Sequence, residues 1–201
     1  MDKPTRLNML ATKRVLRYLK GTQKYGILYK RQEEGDCLLG YTDSDNAGDL
    51  DDRKSTSGYN FFLAGGAISW SSKKKLVVTL STTEVEFVFA SFCAAQCVWL
   101  KRIVTQMGWL ECVEGTTKIM CDNSSAIKLS KNPVMHGRSK HIDVRFHFLR
   151  ELARNGTIEL EHCGTGEQIE DIMTKPIKLE TFQLLCSRLC LVNGTELEFE
   201  S

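Results

Sequence analysis

Residues 40–52 read GYTDSDNAGDLDD, and five carboxylates, Asp43, Asp45, Asp49, Asp51 and Asp52, follow the apolar run CLLGY at 37–41. How a core strand can run into so much negative charge decides the fold. Asp, Asn and Gly supply turn geometry, so a turn is one answer. A calcium loop is a second: Asp43, Asp45 and Gly48 occupy positions one, three and six of an EF-hand template. That template fails at Ala47, its fifth position, and at Lys54, its twelfth, where Glu is required. The third answer makes one of these acids part of a metal site whose other ligands lie elsewhere in the chain.

Working outward, the chain reads as an alternation of strands and helices. Leu7, Leu10, Ala11, Val15, Tyr18 and Leu19 recur at helical spacing over 5–20, and Gly21 is a stop signal. A short strand is expected over 26–30, then a turn at EEGD and the strand that ends at Tyr41. Residues 58–63 and 67–70 read as a hairpin joined through Gly65-Gly66, after the polar loop DDRKSTSG. A long helix is expected over 83–107, buried along Val85, Val88, Phe89, Phe92, Ala95, Trp99 and Ile103, with Thr83 and Glu86 as a capping box. TKIMC, 117–121, is a strand running into Asp122. Helices follow over 123–130 and 140–154, separated by KNPVMHGRS, and TIELEH, 157–162, alternates as a strand. Thr165 and Gln168 open a capped helix containing Asp171; Pro176 interrupts it, and a last helix spans 178–190. The order predicts a mixed α/β sheet with a leading hairpin. Ligands of such sheets gather beyond the carboxyl ends of strands, where Asp43 and Asp122 stand.

Composition narrows the function classes. Hydrophobic residues at 42% and charged residues at 26% of the 201 suit a globular chain. No run reads as long enough to span a membrane, and the start MDKPTRLN lacks an apolar signal region, so an intracellular protein with no membrane partner is expected. Its eight cysteines then read as free thiols. Cys93/Cys97 and Cys186/Cys190 are spaced to stack on helix faces, and no C-x-x-C pair exists, so no zinc site is expected. Net charge is only +2, but residues 1–31 carry nine basic residues against Asp2, and 131–154 carry six against Asp143 and Glu151. Two basic regions around an acidic cluster suit a polyanion held near a metal site; solvated helix faces are the simpler alternative.

Eight ordered runs carry a resemblance: LRYLKGT (16–22), GYTDSDNAGD (40–49), RKSTSGY (53–59), AISWSSKK (67–74), LSTTEVEF (80–87), CDNSSAIKLSKNP (121–133), HGRSKHID (136–143) and IEDIMTKP (169–176). Together they resemble the ribonuclease H domain of a copia-type LTR retrotransposon Pol polyprotein. The resemblance implies a ribonuclease H-like α/β fold: a mixed five-stranded sheet of three leading antiparallel strands, then parallel additions, flanked by helices. It implies hydrolysis of the RNA strand of an RNA/DNA hybrid with two Mg²⁺ ions, for which Mn²⁺ can substitute. Carried over position by position, the catalytic and metal-binding residues are Asp43, Glu86, Asp122 and Asp171. Asp43 would bridge the ions, Glu86 and Asp122 would hold the leaving-group ion, and Asp171 the water-activating one. The implied partners are the hybrid and the reverse transcriptase polymerase domain of the parent polyprotein. The implied location is the cytoplasm, in a virus-like particle for a complete element, with the nucleus as the alternative.

The same resemblance divides the chain into a basic connector (1–31) like the tail of the polymerase region, a ribonuclease H-like domain (36–178), and a C-terminal helix with an acidic tail (179–201). No Y-x-D-D motif occurs, so the chain reads as the end of a polyprotein beginning at an internal Met. Asn46 stands where the family usually has Trp, and Phe87 where it usually has Tyr. Lys131, Arg138 and Lys140 are candidate nucleic-acid contacts. Each acid also has a bland reading: Asp43 as a turn residue, Glu86 as a capping partner, Asp122 as an N-cap, and Asp171 as the partner of Lys175. Glu84 competes with Glu86, and His162 is either a proton shuttle or a strand-end histidine. A relic that only binds nucleic acid is the non-enzyme alternative. A transposase or integrase type strand transferase would need Glu159 or Glu161 in place of Asp171.

Overall fold

The computed structural model describes residues 3–29, 37–44, 55–74, 82–131 and 140–195. Its centre is a five-stranded sheet built from β2 (Leu39–Ser44), β3 (Thr56–Leu63), β4 (Gly66–Lys74), β5 (Thr117–Cys121) and β6 (Ile158–His162), in the order β4-β3-β2-β5-β6. The first three strands pair antiparallel, and β5 and β6 add in parallel. This is the ribonuclease H-like sheet that the resemblance implies. A separate two-stranded sheet pairs β1 (Tyr25–Ile27) with β7 (Leu191–Asn193).

Strands β2 and β4 run further than their apolar residues do. β2 continues through Thr42, Asp43 and Ser44, which pair with Tyr59, Gly58 and Ser57. Backbone pairing does not depend on side-chain polarity, so β3 carries the ladder into the acidic stretch. Asp43 therefore lies inside a strand rather than in a turn. β4 likewise continues through SSKK because β3 remains its partner. The hairpin turn is Ala64-Gly65, not Gly65-Gly66. Both turn residues have positive φ, 53° and 73°, as a two-residue hairpin of that twist demands. Gly66 opens β4, where a Cβ would meet the Tyr29 ring at 2.6 Å.

The long helix α2 (Thr82–Gln106) packs on the sheet by a face that matches the expected one only in its first turns. Val85 and Phe89 are buried as expected, but beyond them the buried side is Ala90, Cys93, Ala94, Cys97, Leu100 and Val104, with Phe87 at its start, whereas Phe92, Trp99 and Ile103 are exposed. The helix is apolar on most sides, so periodicity leaves its phase open. The small side chains let it approach the sheet closely, and the bulky ones turn outward, with the Arg145 guanidinium 4.0 Å from the Phe92 ring centroid. Residues 85–106 are also long and apolar enough, by length and composition, to cross a membrane, which corrects the expectation of no such stretch; half of that stretch is buried. Thr83 lies within the helix rather than at its cap, so the Thr83–Glu86 capping box does not form.

Helices α3 (Ser124–Lys131) and α4 (Lys140–Arg154) cover the same sheet face. The Phe87 and Phe146 rings stack at 3.9 Å between centroids, within a core that includes Leu38, Phe61, Ile119, Leu149, Ile158 and Leu160. The other sheet face is covered by the segment from Gln168 onward. The expected helix from Thr165 is instead a 3-10 turn (Thr165–Glu167), an extended Gln168, and a single-turn helix α5 (Asp171–Thr174). Gln168 leaves the helical pattern because its side chain is buried and donates to the Thr42 carbonyl of β2 at 3.0 Å. The last helix, α6 (Leu179–Arg188), ends before Cys190, whose φ of 54° turns the chain into β7.

Helix α1 (Arg6–Gly21) has no buried residue; its apolar stripe, including Leu7, Leu10 and Leu19, faces outward. All eight cysteines are free. Cys93 and Cys97 are buried in the α2 core face, and Cys190, beyond the end of α6, donates to the Gly65 carbonyl.

Candidate active site

Four chain segments meet at the end of the sheet where β2 and β5 finish. From β2, Asp43 is 2% exposed. Its Oδ2 accepts a 2.5 Å hydrogen bond from the Thr174 hydroxyl of α5, and the Lys175 ammonium lies 3.5 Å from the same oxygen. From α5, Asp171 Oδ1 lies 2.7 Å from Lys175 Nζ. One ammonium is thus shared by carboxylates 128 residues apart in the chain. From β5, Asp122 follows the last strand residue, and from α2, Glu86 is buried. Ligand atoms of Glu86, Cys121 and Asp122 lie within 4.8 Å of one another.

The electrostatics express this crowding. Burial first, then the Asp43 charge, raises the Asp122 carboxyl above its usual range, and Lys175 partly offsets them. Burial also raises Asp171; the Lys175 ammonium opposes it and the Asp43 carboxylate reinforces it. Burial works against the Lys175 charge, but the hydrogen bond to Asp171 and the fields of Asp43, Asp171 and Asp122 outweigh it, so its pKa is raised. Like charges held this close repel, and the groups titrate as a coupled set.

A fifth carboxyl, which the sequence reading misses, lies beneath these. Glu170 is 0% exposed and immediately precedes α5, with no side-chain hydrogen bond to the helix start. Burial and the Asp43 charge push its carboxyl well above the ordinary range, with the buried Asn60 amide acting in the other direction. It fits because β3 has Gly58 opposite Asp43: a Cβ there would meet Glu170 Oε1 at 2.0 Å. Gly58 was the one available signal, a glycine inside a strand marking a close approach. Thr174 and Gln168 also escape the sequence reading as site-forming residues. Nothing in their spacing reveals that they reach β2.

The remaining candidates fall elsewhere. Asp122 does not cap α3; Asn123 does, its Oδ1 accepting from the amides of Ser125 and Ala126 at 3.0 Å each. Lys131 stands at the far end of α3 from Asp122, 3.7 Å from Glu159 and beside Arg150, Arg154 and His147 in a groove of about 880 Å³. Glu161 pairs with Lys118 at 2.9 Å. Both glutamates of the strand-transferase alternative therefore lie in ion pairs along β6. His162 is exposed at the end of β6. Lys140 opens α4, its side chain outside the description; Arg138, Asn46 and the side chain of Glu84 lie outside the described residues.

The donor set suits a hard divalent ion. Carboxylate oxygens from rigid strand and helix ends are the ligands that Mg²⁺ and Mn²⁺ prefer. The Cys121 and Cys163 thiols are soft donors nearby, and burial raises the pKa of each, which favours the protonated form over a thiolate ligand.

No family model matches the chain. It is 39% identical over 198 residues to the Retrovirus-related Pol polyprotein from transposon TNT 1-94 of Nicotiana tabacum, a match covering 94% of this chain and 14% of that protein. It is 38% identical over 189 residues to the corresponding protein from transposon RE1 of Arabidopsis thaliana, covering 94% and 13%. The chain thus spans about a seventh of the length of these curated relatives. Among solved structures, LC11-RNase H1 in complex with RNA/DNA hybrid is similar with a TM-score of 0.46 and 11% identity, over 68% of this chain and 93% of that one. By its sequence identity along nearly its whole length, the chain is a homologue of one segment of the copia-type Pol polyproteins of plant transposons.

Proposed function

We propose that this segment is a ribonuclease H-type endonuclease that hydrolyses the RNA strand of an RNA/DNA hybrid within a reverse-transcribing polyprotein. The observation that carries the reading is the meeting of Asp43, Glu86, Asp122 and Asp171 at one end of the sheet, two of them on a shared ammonium. Bound divalent ions would supply an activated water and neutralise charge on the leaving oxygen. Asp43 would help to hold both ions, Glu86 and Asp122 would hold the one that serves the leaving group, and Asp171 would hold the one that supplies the activated water. Thr174 fixes the Asp43 rotamer by its hydrogen bond, and Gln168 ties the α5 segment to β2, so the carboxylates are held before substrate arrives. Selectivity for the hybrid would rest on 2′-hydroxyl contacts and groove shape.

The test is cleavage of a labelled RNA/DNA hybrid with Mg²⁺ by wild type and Asp43→Asn. Wild type should release 3′-hydroxyl and 5′-phosphate ends, and the variant should lose at least about 100-fold in rate, the scale of a removed electrostatic group at a reacting centre. Cutting of duplex DNA instead would favour a strand transferase. A folded wild type that cuts neither would leave a nucleic-acid-binding relic.

A further inference from the structure

We infer that Lys175 is an internal cation that holds the site's carboxylates together until a divalent ion displaces it, and that it thereby sets the site's affinity for metal. This rests on the proposed role of Asp43 and Asp171 as metal ligands. Lys175 is not an ordinary surface partner of Asp171. Its ammonium lies 2.7 Å from Asp171 Oδ1 and also 3.5 Å from Oδ2 of Asp43, an almost wholly buried carboxylate on a different element. An exposed i,i+4 pair would be screened and weak, whereas this one neutralises two acids that otherwise repel.

The same oxygens cannot serve both cations in that geometry. Mg²⁺ binds oxygen at about 2.0–2.1 Å, which would place it within a few ångströms of an ammonium touching the same carboxylates. At that separation two positive charges repel strongly, even with water nearby. Asp43 Oδ2 is the point of conflict, since it already accepts from Thr174 while facing Lys175. The lysine has a way out: its side chain is 33% exposed, it sits at the end of α5 in an extended conformation, and four methylenes give it reach. Metal entry and lysine departure are then a single exchange, and each weakens the other equally.

The experiment measures Mn²⁺ binding to the full chain by electron paramagnetic resonance for wild type, Lys175→Met and Lys175→Arg. Methionine keeps the apolar stem and removes the charge. It should tighten Mn²⁺ binding by at least about fivefold, lower the melting temperature of the metal-free protein, and enlarge the rise that metal produces. Arginine should bind Mn²⁺ no more tightly than wild type. In the wild-type protein, acetylation of Lys175 by an amine-reactive ester, read by mass spectrometry, should speed up when Mg²⁺ is added; this readout stands even if Lys175→Met cannot fold without metal. Equal or weaker Mn²⁺ binding by a folded Lys175→Met, or acetylation that Mg²⁺ leaves unchanged, would overturn the role of Lys175 alone. Absence of Mn²⁺ binding in wild type and Lys175→Met alike would overturn the metal-site reading beneath it.

Discussion

The two faces of the central sheet are built on opposite principles. Under α2, α3 and α4 the core is apolar and closely packed, with Phe61, Phe87, Ile119, Phe146 and Leu149 in one cluster. Under the segment from Gln168 to Leu189 the apolar cluster is smaller, around Phe62, Ala67, Ile169 and Leu189, and buried polar groups crowd beside it: Asp43, Asn60, Gln168, Glu170 and Thr174. The first face supplies stability that the second consumes, because burying carboxyl groups without full compensation is costly. The lesson is that the acids are held in position by hydrogen bonds across the thin face while the thick face keeps the sheet rigid.

The contrast can be tested at its strongest point first. Phe87→Ala would remove a fully buried ring and its stack on Phe146, and should destabilise the protein by about 3–5 kcal/mol in urea unfolding. A loss under about 1 kcal/mol would mean that the thick face is not the stabilising one.

On the thin face, Gly58→Ala would drive a methyl group into Glu170 Oε1 and should cost about 1–3 kcal/mol, the typical range for overpacking. Combining it with Glu170→Ala should recover most of that loss, since the clash is with the side chain. No recovery would point to the other close neighbour, the Ser71 carbonyl at 3.0 Å.

The smallest effect is a pH dependence. Folding raises the carboxyl groups of Asp122, Glu170 and Asp171 above their ordinary values of 3.8, 4.5 and 3.8. Their protonated forms therefore favour the fold. That stability is fully present below the ordinary values and is lost as pH rises through the folded ones. Lys175, also raised, contributes stability that is fully present below its ordinary 10.5 and is lost only as pH rises beyond it, so it adds no slope between pH 5 and 8. Metal-free protein should thus be less stable at pH 8 than at pH 5, and Glu170→Gln should reduce the difference by on the order of 1 kcal/mol. Metal-free stability that rises over the same interval would contradict the burial of uncompensated acids on this face.

Much of this architecture is legible along the chain. The alternation of TIELEH, the run TKIMC into Asp122, and the helical periodicity of 140–154 are local patterns, and local patterns survive into β6, β5 and α4. The extent of β2 is not local. Asp43 and Ser44 carry no strand signal of their own and are strand because β3 pairs with them. The face of α2 is ambiguous for another reason: a helix apolar nearly all round has no preferred phase until something packs on it.

The amino-acid sequence by itself determined the order of elements and placed Asp43 and Asp122 at the carboxyl ends of two strands; that these strands are parallel neighbours was decided by the fold. Strand polarity and hydrophobic period are properties of short segments, so they need no partner to be read. Only the tertiary structure decided what surrounds those acids. Glu170 beneath Asp43, Thr174 on its oxygen, Gln168 on the Thr42 carbonyl and Lys175 between two carboxylates all join segments more than 110 residues apart, or depend on a segment so joined. No pattern within IEDIMTKP distinguishes a residue aimed at β2 from one aimed at solvent. That direction is set when the short α5 turn docks on the sheet over Gly58, where the missing Cβ leaves room for a buried carboxyl.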